Sequence, residues 1–428
     1  MLTLTGKRKK TEWWLMVGLI FPALLYVYLV STSCDPRYLE TDSAASFKKV
    51  YDKPLLHGYT AVDIRQTPSD KGYIILGICD GVPYLLKLDK YGNYLWDTCY
   101  ETFSLWSIPI PELILVEREG EPDTYYFFCH KTTGDGQPVV LLKISAENNV
   151  PGEPREISLS AHLPEDHLVL PMEARAAPGP VPGFLLLALD VSTNKVILIK
   201  LDHESNAAWD NPPVSGFSHI CANSFHVSDG RFHFIGFLPT QIPGKDLYYF
   251  HSYLDSQRHE YPSCFGITVI DPISGSPLVE YPSPLAFLTM DNSGSTASGA
   301  LLIENIIAFF VNRSLTDLNE TIIIIQFELV PSKPVYMKTM NVNEQKAVFF
   351  VGSGKNDKIV LYAYDWSTGS FAAKEYFGHT NVYESAGLIE TGDGGLAILG
   401  TTYLAGQLGR ICIFKLSKQE LEDLMGQL

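Results

Sequence analysis

Apolar positions in this chain gather in short runs and do not follow helical spacing. Seven runs share one form: "YLLKLD" (84–89), "VVLLKIS" (139–145), "VILIKLD" (196–202), "GITVIDP" (266–272), "IIIIQFE" (322–328), "IVLYAYD" (359–365) and "ICIFKLS" (411–417). Ile, Val, Leu, Phe and Tyr dominate them, the composition of strands buried on both faces. A second apolar run precedes each: "GYIILGI" (72–78), "YYFFC" (125–129), "GFLLLAL" (183–189), "RFHFIGF" (231–237), "NIIAFFV" (305–311), "KAVFFVG" (346–352) and "GLAILGT" (395–401). Turn residues separate the runs, as in "SDKG" (69–72), "SDG" (228–230), "GDGG" (392–395), "DPISG" (271–275) and "DWSTG" (365–369). A further strand stands ahead of the turn, as in "SAGLIET" (385–391). The unit is therefore strand, turn, strand, loop, strand, turn, strand, recurring roughly every 40–70 residues.

One phrase is written twice at equal spacing, "KLDKYGNYLWD" (87–97) and "KLDHESNAAWD" (200–210). It predicts a β-hairpin in which Asp89 and Asp202 form the turn, while Trp96 and Trp209 return to pack between neighbouring units. A four-stranded unit has two apolar faces and cannot cover both alone; units stacked in a ring cover one another. The expected fold is an all-β propeller of seven four-stranded blades over residues 46–418. Six or eight blades stay open, because the fourth unit is long. The last unit lacks its outer strand, and "SFKKVYD" (46–52) is placed to supply it and close the ring. Residues 419–428 read as a tail.

The N-terminus is an address. "KRKK" (7–10) precedes an apolar run from Trp13 to Val30 that ends in "STSC". A basic stretch, an apolar stretch and small residues before a cleavage point make an export signal. The small residues before Cys34 resemble the lipobox of bacterial lipoproteins, although Ser31 stands where Leu is usual. The resemblance implies a signal over 1–33, lipidation at Cys34 and a tether over 34–45. An uncleaved membrane anchor is the alternative, since the run is about long enough to span a bilayer. Both place the rest of the chain outside the cytoplasm. The repeats "GYIILG…YLLKLDKYGNYLW" and "TGDGGLAILGTT…ICIFKL" look like those of exported Bacteroidota β-propeller lipoproteins, and the "D-x-x-G-N-x-x-W" ending resembles quinoprotein-like propellers. That resemblance carries fold rather than chemistry. It implies an envelope lipoprotein held at the outer membrane. The cofactor and metal ligands of quinoproteins have no counterpart that can be placed here, so no cofactor is expected.

Charge narrows the partners. The formal net charge is −16. Loss of residues 1–33 removes four cations and one anion and takes it to about −19. Such a surface repels phosphate backbones, so nucleic acid is not an expected partner. The cysteines besides Cys34 mostly sit in apolar runs and read as buried thiols. No CxxC is present, and no metal site is expected. "AHLPEDH" (161–167) offers metal-ligand types without fixed geometry.

The candidate binding element is the long segment 238–264 of the fourth unit, read as a loop between strands two and three, with extra strands packed on its own blade as the alternative. It carries Tyr248, Tyr249, Phe250, His251 and Tyr253, which can stack on sugars or grip a protein. No nucleophile elbow, HExxH, Walker A loop or GxGxxG occurs. The sequence therefore points to a non-enzymatic protein- or glycan-binding or scaffold module. The alternative is a carbohydrate-active hydrolase or lyase whose acids come from different blades.

Overall fold

The computed structural model describes residues 46–51, 57–100, 106–116, 124–131, 139–147, 150–151, 155–158, 169–177, 183–190, 195–202, 234–239, 247–255, 264–271, 273, 277–283, 286–293, 296–303, 306–314, 324–404 and 408–426. Strand β1 (Phe47–Tyr51) comes first. The first sheet is β2 (Tyr59–Gln66), β3 (Tyr73–Cys79), β4 (Val82–Leu88) and β5 (Tyr94–Cys99). The second holds β6 (Trp106–Pro109), β7 (Ile114–Val116), β8 (Thr124–Lys131), β9 (Val139–Glu147), β10 (Val150–Pro151) and β11 (Arg155–Ser158). The third is β12 (Val169–Ala177), β13 (Gly183–Asp190) and β14 (Lys195–Asp202). The fourth is β15 (Phe234–Pro239), β16 (Leu247–Asp255), β17 (Cys264–Ile270) and β18 (Pro277–Ser283). The fifth is β19 (Ala286–Ser293), β20 (Thr296–Ile303), β21 (Ile306–Ser314) and β22 (Ile324–Gln326). The sixth is β23 (Val335–Val342), β24 (Gln345–Ser353), β25 (Ile359–Asp365) and β26 (Phe371–Phe377). The seventh is β27 (Val382–Glu390), β28 (Leu396–Leu404) and β29 (Leu408–Leu416), completed by β1.

Every pairing is antiparallel, and most join neighbours in sequence; the exceptions are β6 with β8, β9 with β11, and β1 with β29. The first strands of successive sheets touch in turn: β12 with β15, β15 with β19, β19 with β23, β23 with β27, and β27 with β2. The gap from first to third sheet is bridged by contacts of β4 with β6 and β8 with β12. A series of mostly four-stranded sheets whose inner strands return to their start is a ring of blades. The fold is a β-propeller, and among the described residues it has seven sheets.

Burial explains the ring. Strands β4 and β25 are buried at every position, so both faces of those sheets are covered. The apolar clusters lie between blades. One joins Tyr73, Ile75 and Leu86 of the first blade to Ala397, Leu399 and Ile411 of the seventh. Another joins Phe309 of the fifth to Phe350 and Tyr362 of the sixth, with the Phe309 and Phe350 rings stacked at 4.1 Å. Trp96 packs against the cluster shared by the first and second blades, as its place in the repeat suggests.

The repeated phrase has two physical jobs. The Asp89 carboxylate accepts from the Tyr91 and Asn93 backbone N–H groups at 2.8 and 2.7 Å, and Gly92 takes φ +71°. Asp365 does the same for Thr368 at 2.7 Å, and Asp271 for Ile273 at 2.8 Å. These are aspartate-nucleated turns. The lysine in the phrase reaches the other end of its blade. Lys87, 2% exposed, donates to Asp70 at 2.9 Å and to Thr67 in the β2–β3 turn. Lys415, 1% exposed, donates to Asp393 at 2.7 Å in the corresponding β27–β28 turn. Burial pushes the Asp393 carboxyl up, but the Lys415 and Thr391 hydrogen bonds outweigh it and hold it below the usual value of 3.8.

Three expectations are corrected. In the fifth unit "NIIAFFV" is the third strand and "IIIIQFE" supplies the outer one. The second strand is the small-residue stretch β20, whose weak hydropathy hides it; a Cβ on Gly299 would fall 2.7 Å from the Phe310 ring, so bulk is excluded there. In the fourth unit "RFHFIGF" runs into the first strand, and part of the segment read as a loop is the second strand, β16. Aromatic residues favour a pleated strand, and this stretch pairs on both sides. The residues read as a tail form helix α1 (Lys418–Met425), capped by a reciprocal Ser417–Glu420 box and burying Leu421 and Met425.

Ring closure follows the expectation. β1 pairs along its length with β29, from Phe47 opposite Lys415 to Tyr51 opposite Ile411. It also grips the first blade: Lys49 donates to Asn93 at 2.7 Å, Tyr51 donates to the Gly92 carbonyl at 2.9 Å, and the Phe47 ring lies against Tyr73. Phe47→Ala is expected to lower stability by about 2 kcal/mol, since it deletes a half-buried ring at the closure; urea denaturation of the full chain reads this. Asp393→Asn strands a buried ammonium and should cost about 3 kcal/mol at neutral pH. An acid with a depressed folded pKa stabilises above its unfolded value and loses this as pH falls through the folded value. The gap between wild type and Asp393→Asn should therefore close as pH drops below about 4, and a gap constant with pH would refute the pairing.

Candidate functional site

The inner strands carry chemistry that the repeat analysis passes over. Strands β2, β6, β12, β19 and β27 each break register once against their partners. Such bulges bend a strand and re-aim the next side chain. In β2 the residue after the break is Asp63, and in β12 it is Glu173. Each is followed two positions on by an arginine, Arg65 and Arg175, so "AVDIR" and "PMEAR" are the same device in two blades.

These groups meet. Arg65 bonds Asp63 at 3.1 Å and Glu112 at 3.2 Å; Arg175 bonds Glu112 and Glu173, each at 2.7 Å. Glu112, in the segment between β6 and β7, thus links the first and third blades. It also accepts from the Ala176 N–H at 3.1 Å. Asp63 accepts from the Leu113 and Ile64 N–H groups at 2.6 and 2.8 Å. Tyr336 of the sixth blade feels both Asp63 and Arg175. Ion pairs that join blades one and three, which are not neighbours, through Glu112 place the cluster toward the ring axis, within electrostatic reach of Tyr336. Asp63 and Arg175 keep 14% and 32% side-chain exposure although desolvation dominates their electrostatics, as expected of groups lining a narrow channel.

The electrostatics are self-contained. Burial raises the Asp63 carboxyl; Arg65 opposes this, and Glu112 adds to it. Burial lowers the Arg175 guanidinium, but Glu173 and Glu112 reverse this and leave it raised. Two arginines thus interleave three acids.

A cleft of roughly 770 Å³ opens beside Arg65. Its wall includes Lys71, Lys338, Glu390, Thr391 and Gly394. It lies at the ends of β2 and β27, where the first-to-second-strand turns of the first and seventh blades emerge. That is the face opposite the one expected, which carries the loops between second and third strands. Lys338 leans to Glu390 at 3.4 Å, leaving the cleft more cationic than the chain as a whole.

The residues expected to bind are not brought to this cleft. Tyr248, Tyr249, Phe250, His251 and Tyr253 lie within β16, a central strand of the fourth sheet, rather than on a loop. Cys34 and the segment 161–167 lie outside the described residues. Among the described residues no helix is long and apolar enough to cross a membrane.

No protein-family model and no curated protein matches this chain. Solved structures of similar course include AofleA from Arthrobotrys oligospora, at 8% identity and TM-score 0.40, covering 87% of this chain and 90% of that one. The Dos1 propeller is similar at 10% identity and TM-score 0.44, covering 82% and 81%. Sqt1 of Saccharomyces cerevisiae is similar at 11% identity and TM-score 0.47, covering 88% and 99%.

Glu112→Ala leaves Arg65 and Arg175 facing each other with one acid fewer. It should lower stability by about 3 kcal/mol, read by denaturation of the full chain. A loss within experimental error would mean that the cluster does not join the blades.

Proposed function

We propose that this chain is a binding or scaffold propeller that presents its cationic cleft to an acidic protein surface or an anionic glycan. The observation that carries the reading is the contrast at the axis. Asp63 and Glu112 there are held by arginines and backbone N–H groups, whereas Lys71 on the adjoining rim stands in a cleft. A cationic hollow on a chain of formal charge −16 focuses field lines and draws anionic groups inward. The apolar segment and Cys34 support a further reading, that the propeller is held at the cell envelope by lipid or by an uncleaved anchor. The hydrolase or lyase alternative needs an acid free to donate a proton; burial raises Asp63, but Arg65 and the Leu113 and Ile64 N–H groups occupy its oxygens.

Two charge reversals test the cleft. Lys71→Glu with Lys338→Glu should weaken binding to an array of sulfated and carboxylated glycans and acidic peptides at least tenfold, and should flatten its salt dependence. Reversal of Lys90, on the β4–β5 turn, should change neither. Equal binding by both variants would overturn the assignment of the cleft. Metabolic labelling with a fatty-acid analogue, lost on Cys34→Ser, tests the anchor separately.

A further inference from the structure

The opposite end of β2 holds a second cluster that the cleft does not involve. His57 stands just ahead of β2, and Cys79 ends β3. Asp80 and Gly81 then turn the chain into β4 with φ +47° and +87°, a left-handed pair that fits a two-residue hairpin turn. That turn folds the Asp80 carboxylate back over the start of β2. Its Oδ1 accepts from the Gly58 N–H at 2.9 Å, and its Oδ2 contacts His57 Nδ1. The Cys79 side chain joins them. One ligand atom from each of the three residues lies within 4.8 Å of the other two.

We propose that His57, Cys79 and Asp80 form a three-ligand site for a divalent cation of the zinc class. The donor set is one imidazole nitrogen, one thiol sulfur and one carboxylate oxygen, which is the mixture such a borderline ion takes. Cys79 enters no disulfide. Binding requires its thiolate, so the thiol proton leaves to solvent as the metal–sulfur bond forms. The ionised thiolate and carboxylate then balance the two charges of the ion. The surroundings suit the state. Tyr59 is hydrogen-bonded to Cys79 and can steady the sulfur, and Arg410 donates to the His57 carbonyl at 2.7 Å and fixes that residue's backbone. The His57 and Asp80 side chains are 41% and 51% exposed, which gives an ion a path inward. Three protein ligands leave a fourth tetrahedral position for water or for a ligand from a partner. The trio escapes a motif search because His57 lies 22 residues before Cys79, and only the pairing of β2 with β3 joins them.

Cobalt is the probe, added to the full chain purified in detergent with a phosphine reductant. The expected result is a thiolate-to-cobalt charge-transfer band with tetrahedral d–d bands, displaced by zinc at one equivalent. Cys79→Ser should remove the charge-transfer band. His57→Ala replaces an exposed side chain and should weaken cobalt binding at least about tenfold. His379→Ala, at another exposed histidine, should leave the spectrum unchanged. Absence of the band in wild type, or an equal band in His57→Ala, overturns the proposal.

Discussion

A strand buried at every position, such as β4 or β25, needs apolar cover on both faces of its sheet. No single blade can supply that cover, so each borrows it from two neighbours, and the requirement passes around the chain until it meets its own beginning. Closure is thus the condition on which the other packing rests. The strand that meets it, β1, is tied in two directions. Its backbone completes the seventh sheet, while Lys49 and Tyr51 reach the β4–β5 turn of the first blade. An apolar clamp reinforces it, since a Cβ on Gly92 would fall 2.5 Å from the Phe47 ring. That turn therefore needs its glycine for two reasons, the left-handed backbone and the space.

The repeat was legible because the same physical task recurs in each blade. A lysine at the end of the third strand recurs where it can reach an acid in the first turn, as Lys87 and Lys415 do. The aspartate of the phrase recurs because it nucleates the second turn. Closure was legible for the same reason, since a unit lacking one strand at its end and a spare strand at the other imply one another. Hydropathy failed where burial is achieved by small residues. β20 buries Ala297, Ser298 and Ala300, the last in the cluster of Phe309, without an apolar run to advertise it. The fourth unit differs too, where an aromatic stretch read as part of a loop is a strand paired on both edges.

The axial cluster was not legible by the same search, although half of its signal was present. "AVDIR" and "PMEAR" share an acid and an arginine two positions apart on first strands, and a comparison of first strands would have paired them. What sequence could not supply was Glu112, which belongs to no repeat position and meets both arginines only once the ring is formed. The bulges add what spacing alone lacks. They turn a residue that would otherwise alternate away from the axis toward it.

The two ends of β2 divide the labour of the molecule. One end meets the Arg65 rim and the cationic cleft; the other meets His57 and the β3–β4 turn. Eight residues of strand separate them, roughly 25 Å of extended chain. Between them Asp63 sits in a network that joins three blades by charge where the apolar clusters join them by packing. Ion pairs in a partly dry channel contribute little net stability over apolar packing, but the loss of one partner is costly. The cluster therefore resists relative sliding of the blades more than it strengthens the ring. A rigid axis of this kind holds the cleft rim in fixed geometry, so a ligand there meets a preformed surface and loses less free energy to ordering it.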